Sequence, residues 1–251
     1  MRVGGSQTSP RRVTQAAQLA ADGLRHAHES NHLFSLGHAL VVGGWWLDDL
    51  RREPDAALAH GTELIALAEE NSFAEWLPWG RFIHGWALFQ LGKAAEGLEE
   101  MELGIAGSRQ LGGVPRLQYL IAQHAAAVAR IGRVEEALTT LDETLAQVER
   151  TGALMDYAEM LRLKGEMQLM RKPQASAEAE KCFRASLDVA RKQDAKWWEL
   201  RTTVSLARLL RDINRREEAR TILAGIYNWF TEGVELPDLK EAKALIDELS
   251  G

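Results

Sequence analysis

Cysteine is nearly absent from this chain of 251 residues: Cys182 stands alone. A single thiol can build neither a disulfide framework nor a cysteine-rich zinc site, and Cys182 reads as a small buried hydrophobe. Proline is scarce too, with six residues in all, so little interrupts helix formation. No run approaches the roughly 18 consecutive apolar residues that a membrane-spanning helix needs. The opening "MRVGGSQTSPRR" has no apolar centre and does not read as a secretory signal. An excess of positive charge is also lacking. Residues 1–151 carry 13 basic and 19 acidic side chains, and residues 152–251 carry 17 of each. Neither part offers the counterion-releasing surface of a nucleic-acid binder. The expected partners therefore include no nucleic acid and no membrane, and the expected location is cytoplasmic. The first nine residues are expected to be disordered.

Signatures of catalysis are equally thin. There is no G-x-x-x-x-G-K-[ST] for phosphates, no G-x-G-x-x-G after a strand and no G-x-S-x-G. Asp48-Asp49-Leu50-Arg51-Arg52 begins like an aspartate-rich metal motif, but Arg52 stands where the last acid would be. One stretch does fit a metal pattern. His28-Glu29-Ser30-Asn31-His32 matches H-E-x-x-H, which places two histidines on a zinc ion and a glutamate on the attacking water. Its meaning depends on whether the five residues share one helix.

What is abundant is leucine, alanine, glutamate and arginine, within a hydrophobic share of 46%. These residues favour helix because they lose little rotamer freedom there. Three short turns recur: Leu91-Gly92-Lys93, Ile131-Gly132-Arg133 and Ile213-Asn214-Arg215. Glycine or asparagine suits the left-handed position that follows a helix. A small residue precedes each turn by seven positions, and another follows it by five. The first series is Gly44, Gly85, Ala125, Gly165 and Ala207, and the second is Ala56, Gly97, Ala137, Ala179 and Ala219. Five matched pairs spaced by 40 to 42 residues mark an internal repeat. Small residues at both places let two antiparallel helices cross closely.

This is the grammar of a tetratricopeptide-like repeat, with helices longer than in the common ~34-residue form. The expected fold is all-α, a tetratricopeptide-like α-solenoid forming a right-handed superhelix of about 12 helices. The A helices are placed at 32–49, 75–91, 115–131, 155–171 and 196–213. The B helices are placed at 55–71, 94–111, 134–151, 176–194 and 216–230. Pro54, Pro115 and Pro237 mark helix starts, where a missing N–H costs nothing. A last helix covers 237–249. Residues 10–29 read as a B helix with no A helix before it, and residues 10–251 as a single domain. Shifted by one repeat, His28-Glu29-Ser30-Asn31-His32 falls on the turn Glu69-Glu70-Asn71-Ser72-Phe73. Asn31 is then an N-cap, the two histidines sit on different helices, and no metal site is expected. His84 and His124, next to small residues in consecutive repeats, read as packed histidines.

In such superhelices the A helices line the concave face. By register that face holds Trp45, Asp48, Trp79, Phe82, Trp86, Phe89, Tyr119, Arg162, Glu166, Arg201, Arg208 and Arg211. An aromatic floor beside an arginine wall suits an extended peptide. The competing reading has the aromatics filling gaps between long helices and the arginines lying over a solvated face.

The C-terminal third, "WELRTTVSLARLLRD" followed by "YNWFTEGVELPDLKEAKALIDEL", resembles a bacterial type. It is similar to the C-terminal tetratricopeptide-like regions of multidomain signalling proteins with an adenylate/guanylate cyclase domain and an AAA-like ATPase module. Long repeats of this kind also resemble the sensor arms of LuxR-type activators. The resemblance spans about residues 13–249 and implies the regulatory arm without the enzyme. It carries no site residues across and implies no cofactor. The expected function is a non-enzymatic interaction module that binds a peptide or partner domain on its concave face. The alternatives are a small-molecule-sensing arm and an oligomerisation scaffold, the latter as a homodimer through helix 10–29.

Overall fold

In a computed structural model of the chain, the structure describes residues 13–30, 32–45, 49, 51–113, 116–172 and 174–251. The expected disorder over 1–9, the Asn31 cap, the Pro115 helix start and the site residue Asp48 lie outside them. The described residues form twelve α-helices and no strand. The fold is all-α, of the tetratricopeptide-like solenoid class. Two compact units are present, residues 15–131 and residues 132–251.

The first unit holds α1 (Val13–Glu29), α2 (Leu33–Ala39), α3 (Pro54–Asn71), α4 (Trp76–Gln90), α5 (Ala94–Gln110) and α6 (Leu117–Arg130). Helix α2 runs directly into a π-helical turn, Leu40–Trp45. The second unit holds α7 (Val134–Thr151), α8 (Tyr157–Arg171), α9 (Ser176–Lys192), α10 (Lys196–Asp212), α11 (Arg216–Tyr227) and α12 (Pro237–Ser250). A short 3-10 turn, Leu154–Asp156, leads into α8.

The turns do what their residues dictate. Gly92, Gly132 and Asn214 take φ of +87°, +92° and +63°. That left-handed residue lets the next N–H fold back on the helix: Lys93 donates to the Leu88 carbonyl at 2.9 Å and Arg215 to Leu210 at 2.7 Å. These bonds satisfy carbonyls that a helix end leaves open. Pro54 and Pro237 stand in the first turn of their helices.

Packing follows the small-residue series. A Cβ added to Gly85 would lie 2.6 Å from the Gly97 carbonyl oxygen, and one added to Gly165 would lie 2.5 Å from the Phe183 ring. In the repeat of Gly85 and Gly97, α4 and α5 therefore meet at backbone distance, and in that of Gly165 the α8 backbone lies against the Phe183 ring of α9. The larger neighbours fill what remains: Phe82, Leu120, Leu141, Met160 and Phe183 are all essentially sealed from water. Burial of each such side chain contributes about 1.5–3 kcal/mol.

Candidate functional site

The six aromatics of the expected concave face lie in the first unit, and five of them, Trp45, Trp79, Phe82, Trp86 and Tyr119, are less than a tenth exposed. Trp45 is the hub. Its ring centroid lies 6.0 Å from Trp79, 5.9 Å from Phe82 and 6.1 Å from Tyr119, in tilted or edge-on pairs. Such pairs contribute beyond their buried area, about 0.5–1.5 kcal/mol each. Trp86 is buried as well, and Phe89 is half-buried. The Arg116 guanidinium sits 4.6 Å over the Tyr119 ring, a cation–π contact. The structure thus places these aromatics in the packing between helices.

The five charged site residues lie in the second unit, on α8 and α10. Arg162 is 8% exposed and grips Glu159 with two bonds, Nε to Oε2 and Nη2 to Oε1, both 2.7 Å. A fork-to-fork pair of this kind is stronger than two neutral bonds. Glu159 is 1% exposed. Burial pushes its carboxyl up, but Arg162 and Arg201 outweigh that and hold it below its ordinary 4.5. Burial likewise pushes the Arg162 guanidinium down, while Glu159 and Glu166 hold it above its ordinary value. Both groups are therefore charged at neutral pH, in a place where a lone charge could not persist.

Around this pair the charges spread outward. Arg162 also bonds Glu166 on its open side. Ser205 of α10 donates to Glu166 at 3.0 Å and accepts from Arg162 at 3.3 Å. Arg201 bridges Glu159 at 3.6 Å and Asp238 of α12 at 3.4 Å. Arg208 pairs with Glu241, and Arg211 reaches both oxygens of Glu248 at 3.2 Å. The arginine stripe at 201, 208 and 211 is thereby matched, residue for residue, by acids on α12. Exposure is lowest at the Glu159–Arg162 pair and higher outside it: the side chains of Glu166, Arg208 and Arg211 are 31%, 47% and 28% exposed.

Sequence reasoning missed Glu159, Ser205, Asp238 and Glu241. Glu159 stands three residues before Arg162, a helix neighbour spacing that pairs opposite charges. The acids of α12 gave no such sign, because their partners lie on another helix.

The H-E-x-x-H stretch is split. His28 lies in the last turn of α1 and its Nδ1 is 3.5 Å from Glu63. His32 is the N-cap of α2, its Nδ1 accepting from the Ser35 N–H at 3.2 Å. The two rings serve separate helices, and among the described residues no three histidine, cysteine or acidic side chains gather as metal ligands. His84 is half-buried, and the half-buried His124 lies 3.4 Å from Glu102. Cys182 is half-buried rather than sealed in the core, and burial pushes its thiol up. No described helix is long and apolar enough to cross a membrane.

No family model matches the chain. An uncharacterized protein of Rhizobium meliloti (strain 1021) is 22% identical over 174 residues, which are 69% of this chain. The chain spans 16% of the length of that curated relative. Among solved structures, NprR in complex with its cognate peptide NprX has a TM-score of 0.66 at 16% identity, over 96% of this chain and 69% of that one. The apo form of RapI has a TM-score of 0.54 at 12% identity, over 94% and 97% of the two chains. TPR-like repeats of a kinesin light chain give 0.50 at 15% identity, over 88% and 95%. At these identities the likeness concerns the fold.

Proposed function

We propose that this chain is a non-catalytic interaction module of a bacterial signalling system, acting in the cytoplasm and binding a peptide or an extended segment of a partner. The observation that carries the reading is the graded charge row of the second unit. Glu166, Arg208 and Glu241 stand on three helices, part-open, beside the buried Ser205 and the buried, bonded Glu159–Arg162 pair. The pair holds the row rigid. The open members can exchange their mutual bonds for the termini, amides and charged side chains of a guest at little cost in ordering. The likeness of the fold to NprR, whose structure was solved with its peptide, supports a peptide as that guest. The regulatory arm of a cyclase–ATPase protein is the setting that the C-terminal phrase suggests.

The test is selection of random displayed peptides on the intact chain, followed by binding to a Glu166→Arg/Arg208→Glu variant with unchanged helical circular dichroism. Selected peptides that bind the variant at least tenfold more weakly support the row as the site. If no peptide is selected, or the variant binds them equally, the reading fails.

A further inference from the structure

Five side chains of the second unit form one alternating chain of charge. In order they are Glu166, Arg162, Glu159, Arg201 and Asp238. Arg162 is shared between Glu166 and Glu159. Arg201 is shared between Glu159 at 3.6 Å and Asp238 at 3.4 Å. An acid therefore stands at each end, and three carboxylates against two guanidiniums leave the chain one positive charge short.

The two ends are not alike. Asp238 is buried and lies in the first turn of α12. There the open N–H groups of a helix start, and the positive end of its dipole, favour a carboxylate. Glu166 lies well inside α8, where its own helix gives no such help. Its side chain is 31% exposed. The missing positive charge thus belongs to the end of the chain that water still reaches. Arg208, three residues beyond Ser205 on α10, pairs with Glu241 and adds no net charge.

Glu166 is also held ready. Its Oε1 accepts from Arg162 and, at 3.0 Å, from the buried Ser205. Both bonds go to the same oxygen, and among the described residues Oε2 takes neither. The carboxylate is fixed in place while one oxygen keeps its lone pairs for a newcomer.

We infer, resting on the reading of this row as a peptide site, that the guest carries an ammonium group and sets it on Oε2 of Glu166. A guest that covers Glu166 strips away its water. A neutral or acidic group there leaves a bare carboxylate on a chain that is already negative. A positive group completes the alternation, so the row selects its guest by penalty as well as by attraction. With Oε1 occupied, the two-pronged hold that a guanidinium makes on a free carboxylate is closed. A compact ammonium needs only a point contact. Its source is a lysine side chain or the N-terminus of the peptide.

The test takes the peptides that the intact chain selects from a random display and synthesises each with a C-terminal fluorescent label in three forms. One is unmodified, one is acetylated at the N-terminus, and one has glutamine in place of lysine. In fluorescence anisotropy one of the two modifications is expected to weaken binding about tenfold or more, which names the source of the ammonium. Glu166→Gln exchanges a single atom at a part-open position. It is expected to weaken the unmodified peptide to a similar degree and to abolish the effect of the modification, as a double-mutant cycle requires of a direct pair. If peptides bind and neither modification weakens them, the ammonium is overturned and the peptide reading stands. If the modification weakens binding equally in Glu166→Gln, the inference is overturned as well, because the cation is then read elsewhere. If no peptide is selected, the peptide reading of the row fails and the ammonium falls with it.

Discussion

Gly85 and Gly97 face each other backbone to backbone: a Cβ on either would stand 2.6 Å from the other's carbonyl oxygen. Neither α4 nor α5 can yield without moving its whole axis, because the obstacle is main chain. Gly85→Ala and Gly97→Ala are each expected to cost about 1–3 kcal/mol through overpacking. Thermal unfolding by circular dichroism checks this, at about 2–4 °C of midpoint per kcal/mol for a chain of this size.

The Glu159–Arg162 pair is expected to be costly to break from one side. Glu159→Leu leaves the buried Arg162 with Glu166 as its only ion-pair partner beside the Ser205 hydroxyl, and a loss of about 3–5 kcal/mol in urea unfolding is expected.

The same pair sets an acid limit. The carboxyl of Glu159 is held below 4.5 in the folded protein, so the unfolded chain takes up its proton first as pH falls. Its contribution is complete above pH 4.5 and disappears as pH drops through the lowered folded value. Stability measured by urea titration across that range is expected to fall more steeply in the native chain than in Glu159→Gln.

Tyr157 sets a limit at the alkaline end. Burial and the bond that its hydroxyl donates to Glu149 push it from 10.0 to about 12. A raised value means that stability is intact below pH 10 and is lost as pH rises toward 12. Ultraviolet titration of the three tyrosines is expected to show one late phase, which Tyr157→Phe removes.

Turn chemistry gives a contrasting pair of variants. Gly132 and Asn214 both hold positive φ, 92° and 63°. Gly132→Val is expected to lose about 1–2 kcal/mol, because a branched side chain resists that conformation. Asn214→Gly is expected to change stability by less than about 1 kcal/mol.

Much of the fold was readable before any coordinates. The left-handed turn at Gly92 and the close crossing at Gly85 require particular small residues, so they leave a mark in the sequence. Periodicity reports which side of a helix a residue occupies, but not how deep it lies. That is why Trp45, Trp79 and Phe82 could be assigned to one face without revealing that they pack on one another. The charge row was half legible for a similar reason. Arg162 and Glu166 share a helix, whereas Ser205, Asp238 and Glu241 join them only through packing between helices. Polar burial of the same kind hid Ser186, whose hydroxyl donates to the Ala158 carbonyl at 2.6 Å and lies 2.8 Å from Thr202. The π turn was invisible too, since an apolar run through Leu40 and Val41 reads the same in either helix type.

That wide turn at Leu40–Trp45 acts as a phase shifter. A π turn spends about one residue more than an α turn, so a side chain at its end points about 100° away from where an uninterrupted helix would place it. Trp45 owes its direction to that rotation. Excising Gly43 would rewind the segment to ordinary pitch and swing the indole off Trp79, Phe82 and Tyr119. The aromatic hub of the first unit is therefore specified by a count of residues as much as by their kind.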